Sequence, residues 1–73
     1  MSEISLHRGM EVFGNDNARV GRVREVRGLD FLVDRMGEMD IYVPLGSVAS
    51  VDGERVTINV SALDVDSQGW PSD

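Results

Sequence analysis

The stretch VFGNDNARVGRVREV, residues 12–26, decides the fold. After a polar tip of Asn15, Asp16 and Asn17, valines recur at 20, 23 and 26, an interval of three that would suit one face of a helix. Two readings compete. A loop that cradles phosphate or metal and leads into a helix would point to an enzyme, and a tight turn between two strands would point to a small all-β module. A phosphate loop needs glycine-rich amides, a following Lys and Ser or Thr, and a helix N-terminus facing the anion. The chain has no lysine, and Gly21, the β-branched residues and the following Gly28 favour a strand from Ala18 to Arg27. Asn and Asp close turns through their side chains and tolerate left-handed backbone. The stretch therefore reads as strand, turn, strand. A flat strand puts residues three apart on opposite faces, so a bend or bulge near Gly21 is expected, letting one long strand serve two sheets or curl around a barrel.

Working outward, residues 10–14 form the preceding short strand, and Leu29, Phe31 and Val33 alternate with Asp30, Leu32 and Asp34 as a half-buried strand. Past the loop RMGEM, Ile41, Val43 and Leu45 alternate with Tyr42 and Pro44; the proline ends ladder pairing or marks an edge. Residues 45–48, LGSV, make a tight turn. The clearest hairpin runs from Val48 to Val51, through Asp52-Gly53, to Arg55–Val60, with Val56, Ile58 and Val60 inward. Ser61 as N-cap with Asp64 at N3 opens a short helix to about Gln68, closed by Gly69 and Pro71. So short a helix needs fastening, and Leu63 and Trp70 are the residues expected to fasten it. Turns every eight to twelve residues and no long helix indicate one all-β domain, a small six-stranded, bent antiparallel barrel with a short C-terminal helical turn.

Composition narrows the function classes. At 73 residues a single core only just offsets the entropy of folding, so a second domain is excluded, and the extra burial of a homodimer would help. There are no cysteines, which leaves no disulfide framework, thiolate zinc site or Cys nucleophile. The opening MSEISLHRGMEVF has no apolar leader core, and no apolar run exceeds three residues, so neither secretion nor membrane association is expected and the location is read as cytoplasmic. The net charge of -6 repels nucleic acid and anionic lipid in bulk. All seven basic residues are Arg, however, and four of them (Arg19, Arg22, Arg24, Arg27) lie beside a single acid, Glu25.

Several sites follow from these residues, each with a blander reading. Residues 64–69, DVDSQG, start like a calcium loop, but that loop needs a bidentate Glu six residues after its Gly, where this sequence has none, and carboxylates in a first helical turn cap amides. A Ser-His-Asp site would have to use the lone His7, beside Arg8, with seven serines available by chance. Thirteen acids leave a paired-carboxylate site open, yet so small a chain seldom frames a deep pocket. No catalytic residue, cofactor or metal is therefore assigned, and a hydrolase is the remote alternative. Arg22 and Arg24 share a strand face, with Arg27 or Arg19 joining across the bend, which gives a patch for a carboxylate-rich partner or for RNA; the bland alternative is pairing with Asp30, Asp34 or Glu54. Trp70 is either a hinge to the core or an exposed partner contact.

The stretches GMEVFGNDNARVGRVREV and IYVPLGSVASVDGERVTINV resemble the PRC-barrel superfamily, named for the photosynthetic reaction centre H subunit and including the C-terminal domain of ribosome maturation factor RimM. More narrowly, the chain resembles a subfamily of small stand-alone bacterial proteins of unknown function, over about residues 9–70. Gly9 and Met10 match the opening strand, Gly21 and Val23 the bend, Tyr42 to Leu45 the strand ending in Pro-Leu, and Val51-Asp52 the hairpin; Asn17 stands where the pattern usually has Gly. The resemblance implies a barrel and no catalytic residue. It implies a docking role, since similar domains serve in electron-transfer complexes or ribosome assembly. The expectation is a non-enzymatic protein-binding module, with an RNA- or ribonucleoprotein-binding factor as the alternative.

Overall fold

The computed structural model describes residues 6–72; the first five residues of the opening segment, and residue 73, lie outside it. Six strands follow one another: β1 (Glu11–Phe13), β2 (Arg19–Val26), β3 (Asp30–Asp34), β4 (Ile41–Pro44), β5 (Val48–Asp52) and β6 (Arg55–Ile58). A 3₁₀ turn (Leu45–Ser47) joins β4 to β5, and a 3₁₀ helix (Ala62–Gln68) follows β6. They form one curled sheet, a half-barrel with strand order β4-β3-β2-β1-β6-β5. The all-β, six-stranded expectation holds. All adjacent pairs are antiparallel but one: β1 runs parallel to β6, Glu11 beside Arg55 and Phe13 beside Thr57.

The interval of three in β2 comes from two bulges on either side of Gly21. Against β1, Val12 pairs with Gly21 and Phe13 with Arg19, so Val20 is an extra residue. Against β3, Val23 pairs with Val33 and Glu25 with Leu32, so Arg24 is extra. Each inserted residue turns a repeat of two into a repeat of three. Val20 and Val23 therefore both reach the core, and Val26 stands opposite the buried Phe31 at its rim. Bulged strands also twist more, which curls the sheet around its contents.

Those contents are aliphatic except for one ring. Met10, Val12, Val23, Phe31, Val33, Ile41, Val43, Val56, Ile58 and Val65 form one buried cluster, with Leu45, Val60 and Trp70 packed at its margin. Two expectations about β3 and the helix need correction. Leu29 is 87% exposed and precedes the strand, whereas Leu32 on the outward side of β3 is buried. In the helix, Val65 is buried and Leu63 is 88% exposed. The helix is 3₁₀, in which residues three apart share a face, so the half-buried Ala62 and buried Val65 lie inward and Leu63 outward. Its ends are as expected. Ser61 Oγ accepts from Asp64 N (3.2 Å) and donates to the Asp64 carboxylate (3.0 Å), and Gly69 closes the helix with φ +73°.

After Gly69 the chain turns back to the sheet. Trp70 packs on the core, and Tyr42 N donates to Pro71 O (2.8 Å) while Ile41 bridges Ser72. The outer edge of β4 is thereby covered. Among the described residues, no helix is long and apolar enough to cross a membrane.

Candidate functional site

The polar tip of the β1–β2 turn is already satisfied by bonds within the turn and to β6 and the segment after it. Gly14 N donates to Ala18 O (2.9 Å), Asn17 N donates to Gly14 O (3.0 Å), and Asn17 takes φ +68°, the left-handed conformation Asn tolerates. The Asp16 carboxylate accepts from Ala18 N (3.2 Å) and Ala62 N (3.3 Å), so it occupies the amides that an anion would need. The tip thus pins the end of β1 to the start of the 3₁₀ helix.

The other candidate sites resolve into local structure. Asp64 caps the helix, and Asp66 accepts from Arg35 (2.9 Å), which also donates through Nε to Met39 O (2.8 Å) and clamps the β3–β4 loop to the helix. Among the described residues no group of three or more His, Cys, Asp or Glu could hold a metal. His7 Nε2 lies 2.9 Å from Glu54 at the surface.

Arg19, Arg22, Arg24 and Arg27 do not all share one patch, because Arg27 departs from the other three. Arg27 lies beyond the strand end, and its guanidinium meets Asp30 in a two-bond fork (Nε–Oδ1 2.6 Å, Nη2–Oδ2 2.7 Å) while stacking 4.0 Å over the Tyr42 ring. The expected pairing with Asp30 is found. Hydrogen bonding to Arg27, reinforced by its charge, holds the Asp30 carboxyl below the ordinary carboxylate range, and the same fork raises the Arg27 pKa. A depressed folded-state pKa contributes stability above the unfolded pKa that is lost as pH falls through the folded one. Asp30→Asn should accordingly lower the Tm slightly at neutral pH, and the two melting curves should converge in acid below the carboxylate range. Parallel offsets at every pH would assign the effect to packing instead.

Arg24, the bulge residue, donates to Asp40 (2.6 Å), and Arg19 lies 3.7 Å from Glu11. Arg22 differs. It stands in register between Glu11 on β1 and Asp34 on β3, yet among the described residues neither Arg22 nor Arg8 has a carboxylate within ion-pair distance. Arg8 is held nearby because Gly9 N donates to Val23 O (2.9 Å) and Val23 N donates to Met10 O (2.8 Å), which lays residues 8–10 against the middle of β2. Gly9 makes that approach with φ +96°.

The result is a shallow trough along β2. One depression, about 460 Å³, is lined by Arg8, Gly9, Arg22, Val23, Arg24 and Asp34. The next, about 550 Å³, is lined by Arg19, Val20, Gly21, Arg22, Asp34 and Met36. Arg22 and Asp34 belong to both. Of the residues proposed from sequence, Arg22 and Arg24 come together here with Arg19 joining them along the trough, while Arg27 and Trp70 lie elsewhere, Trp70 packed against the core. Arg8 and Met36 carried no signal in the sequence beyond one charge and one exposed loop methionine. Only the crossing of residues 8–10 over β2 and the return of the β3–β4 loop bring them to the trough.

Residues 6–66 match the family model described as an uncharacterized protein conserved in bacteria (DUF2171). No curated protein matches the chain.

Proposed function

The chain belongs to the DUF2171 family, and from that membership, which carries no assigned chemistry, we propose that it is a non-enzymatic protein-binding module acting in the cytoplasm. The observation that carries the reading is the trough on β2, where Arg8 and Arg22 stand without ion-pair partners among the described residues on a molecule whose net charge is -6. Two cations left without counter-charges on an acidic protein suit a partner that brings carboxylates. The trough is open, a shape suited to a chain lying along a surface and poorly suited to excluding water from a reacting group. The resemblance to PRC-barrel domains supports a docking role by analogy alone.

Affinity capture from a bacterial lysate tests the proposal, with an Arg8→Glu/Arg22→Glu protein and an unrelated domain of equal charge as controls. A protein retained reproducibly by the unmodified chain and absent from the unrelated control is expected. Capture of nothing beyond that control, or turnover in a broad esterase and phosphatase screen, overturns the reading. Sedimentation of the purified chain shows whether the partner is a second copy.

A further inference from the structure

We propose that the trough along β2 binds an extended acidic segment of a partner protein, one carboxylate held between Arg8 and Arg22 and an apolar side chain two residues away beside Val20 and Met36. The inference rests on the protein-binding reading and names the chemistry of the partner.

The charge argument comes first. Arg8, Arg22 and Arg24 surround the first depression with Asp34 as its one acid, and Arg24 already answers Asp40. The local excess is positive on a chain of net charge -6. A carboxylate placed between two planar guanidiniums accepts charge-assisted hydrogen bonds from both. The apolar argument is separate. Met36 is 95% exposed, and a single exposed methionine means little, but this one shares a depression with the half-buried Val20 and with Arg19 and Arg22, whose side chains carry apolar stems. Methionine also adapts its shape to varied apolar partners.

Length then fixes the spacing. From Arg24 to Arg19 the trough follows about 17 Å of strand, which five or six residues of an extended peptide would span. Alternate residues of such a peptide face the same way. With a carboxylate over Arg8 and Arg22, the second residue along faces the same way, toward the adjoining depression that Met36 lines, in either chain direction.

Single-stranded RNA is the competing occupant, and the surface offers it little. Binding of that kind uses exposed aromatic faces for base stacking. Phe31 is buried, Trp70 packs on the core, Arg27 covers Tyr42, and Arg55 covers Phe13 at 3.9 Å.

The test is a titration of the ¹⁵N-labelled chain with blocked hexapeptides built on Glu-Ser-Leu and Leu-Ser-Glu, followed by amide shifts at low salt. Control peptides carry Gln for Glu or Ser for Leu, and a 12-residue oligouridylate is titrated in parallel. Saturable shifts at Arg22, Val23, Asp34 and Met36 are expected with at least one order, weakened tenfold or more by Arg22→Glu and by the Gln peptide, and weakened by Met36→Glu and by the Ser peptide. Both variants alter exposed side chains, and their spectra report whether they remain folded. Absence of saturable shifts with either order at millimolar peptide overturns the inference. So do equal binding of the Gln peptide, tighter binding of the oligouridylate, or the same amides shifting when the protein alone is diluted, which would make the occupant a second copy. A partner captured from lysate that survives Arg8→Glu/Arg22→Glu would sink the trough and leave the protein-binding reading standing.

Discussion

A Phe31→Ala protein is expected to lose about 3–5 kcal/mol of unfolding free energy, the range seen when a fully buried aromatic is truncated. Phe31 is the one aromatic side chain among the fully buried residues described, and it sits on β3 opposite Val43 of β4 and Val26 of β2. Its cross-strand partners Val26 and Val43 are β-branched residues on strands tied into a ladder, so they have few rotamers with which to fill the space. A domain of this size has about 4–11 kcal/mol of stability in all. Much of it would go with one ring, and urea denaturation at 25 °C should show the midpoint falling steeply. Leu29→Ala is the matched control, since Leu29 is 87% exposed and its loss should stay within about 0.5 kcal/mol. A Phe31→Ala midpoint within error of the Leu29→Ala midpoint would mean the ring does not centre the core.

Gly21→Val should be comparably damaging for the opposite reason. A Cβ at Gly21 would run into the carbonyl oxygen of Asp34 and come within 2.8 Å of Val33 Cγ1 and 3.0 Å of the Asp34 carbonyl carbon. Two of the three obstacles are backbone atoms of β3, which cannot rotate aside. Overfilling a packed site typically costs about 1–3 kcal/mol, and the upper end is expected for Gly21→Ala because the strand itself must shift. Valine adds two further methyls in the same place, so its unfolding should lose cooperativity or disappear. Gly28→Ala is the control. Nothing lies within 4 Å of a Cβ there, and a change within about 0.5 kcal/mol is expected. Normal stability of Gly21→Val would mean that β2 does not pass so close to β3.

These two positions also show which kinds of structural information the sequence carried. Local signals were legible: Asp52-Gly53 makes the β5–β6 hairpin, Ser61 and Asp64 cap the helix, and Asn15 to Asn17 turn between strands. Each depends on residues a few positions apart. The need for an irregularity near Gly21 was visible in the valine spacing, but the split into bulges at Val20 and Arg24 was not, because a bulge is defined against partner strands. The same limit explains Leu29 and Leu32, where alternation assigned faces without knowing where β3 begins or what covers its outer side. Leu63 and Val65 were exchanged because the same caps close an α-helix and a 3₁₀ helix, while the turn length selects which residue points inward. For the site, Arg22 and Arg24 were legible as neighbours on one strand. Arg8, Met36 and the engagement of Arg27 by Asp30 and Tyr42 depend on tertiary crossings that no spacing along the chain announces.

The parallel seam between β1 and β6 shapes how the chain reaches this state. Tight hairpins such as β5–β6 can zip in about 1–10 μs, since their partners are adjacent. Glu11 cannot meet Arg55, nor Phe13 Thr57, until the whole intervening chain has been gathered into one loop, and that closure entropy is spent before any seam contact repays it. Long-range pairing of this kind sets a slower clock than local zipping. The seam is therefore the gate of assembly: a chain with its hairpins made and the seam unmade still shows the inner edges of β1 and β6 to other molecules.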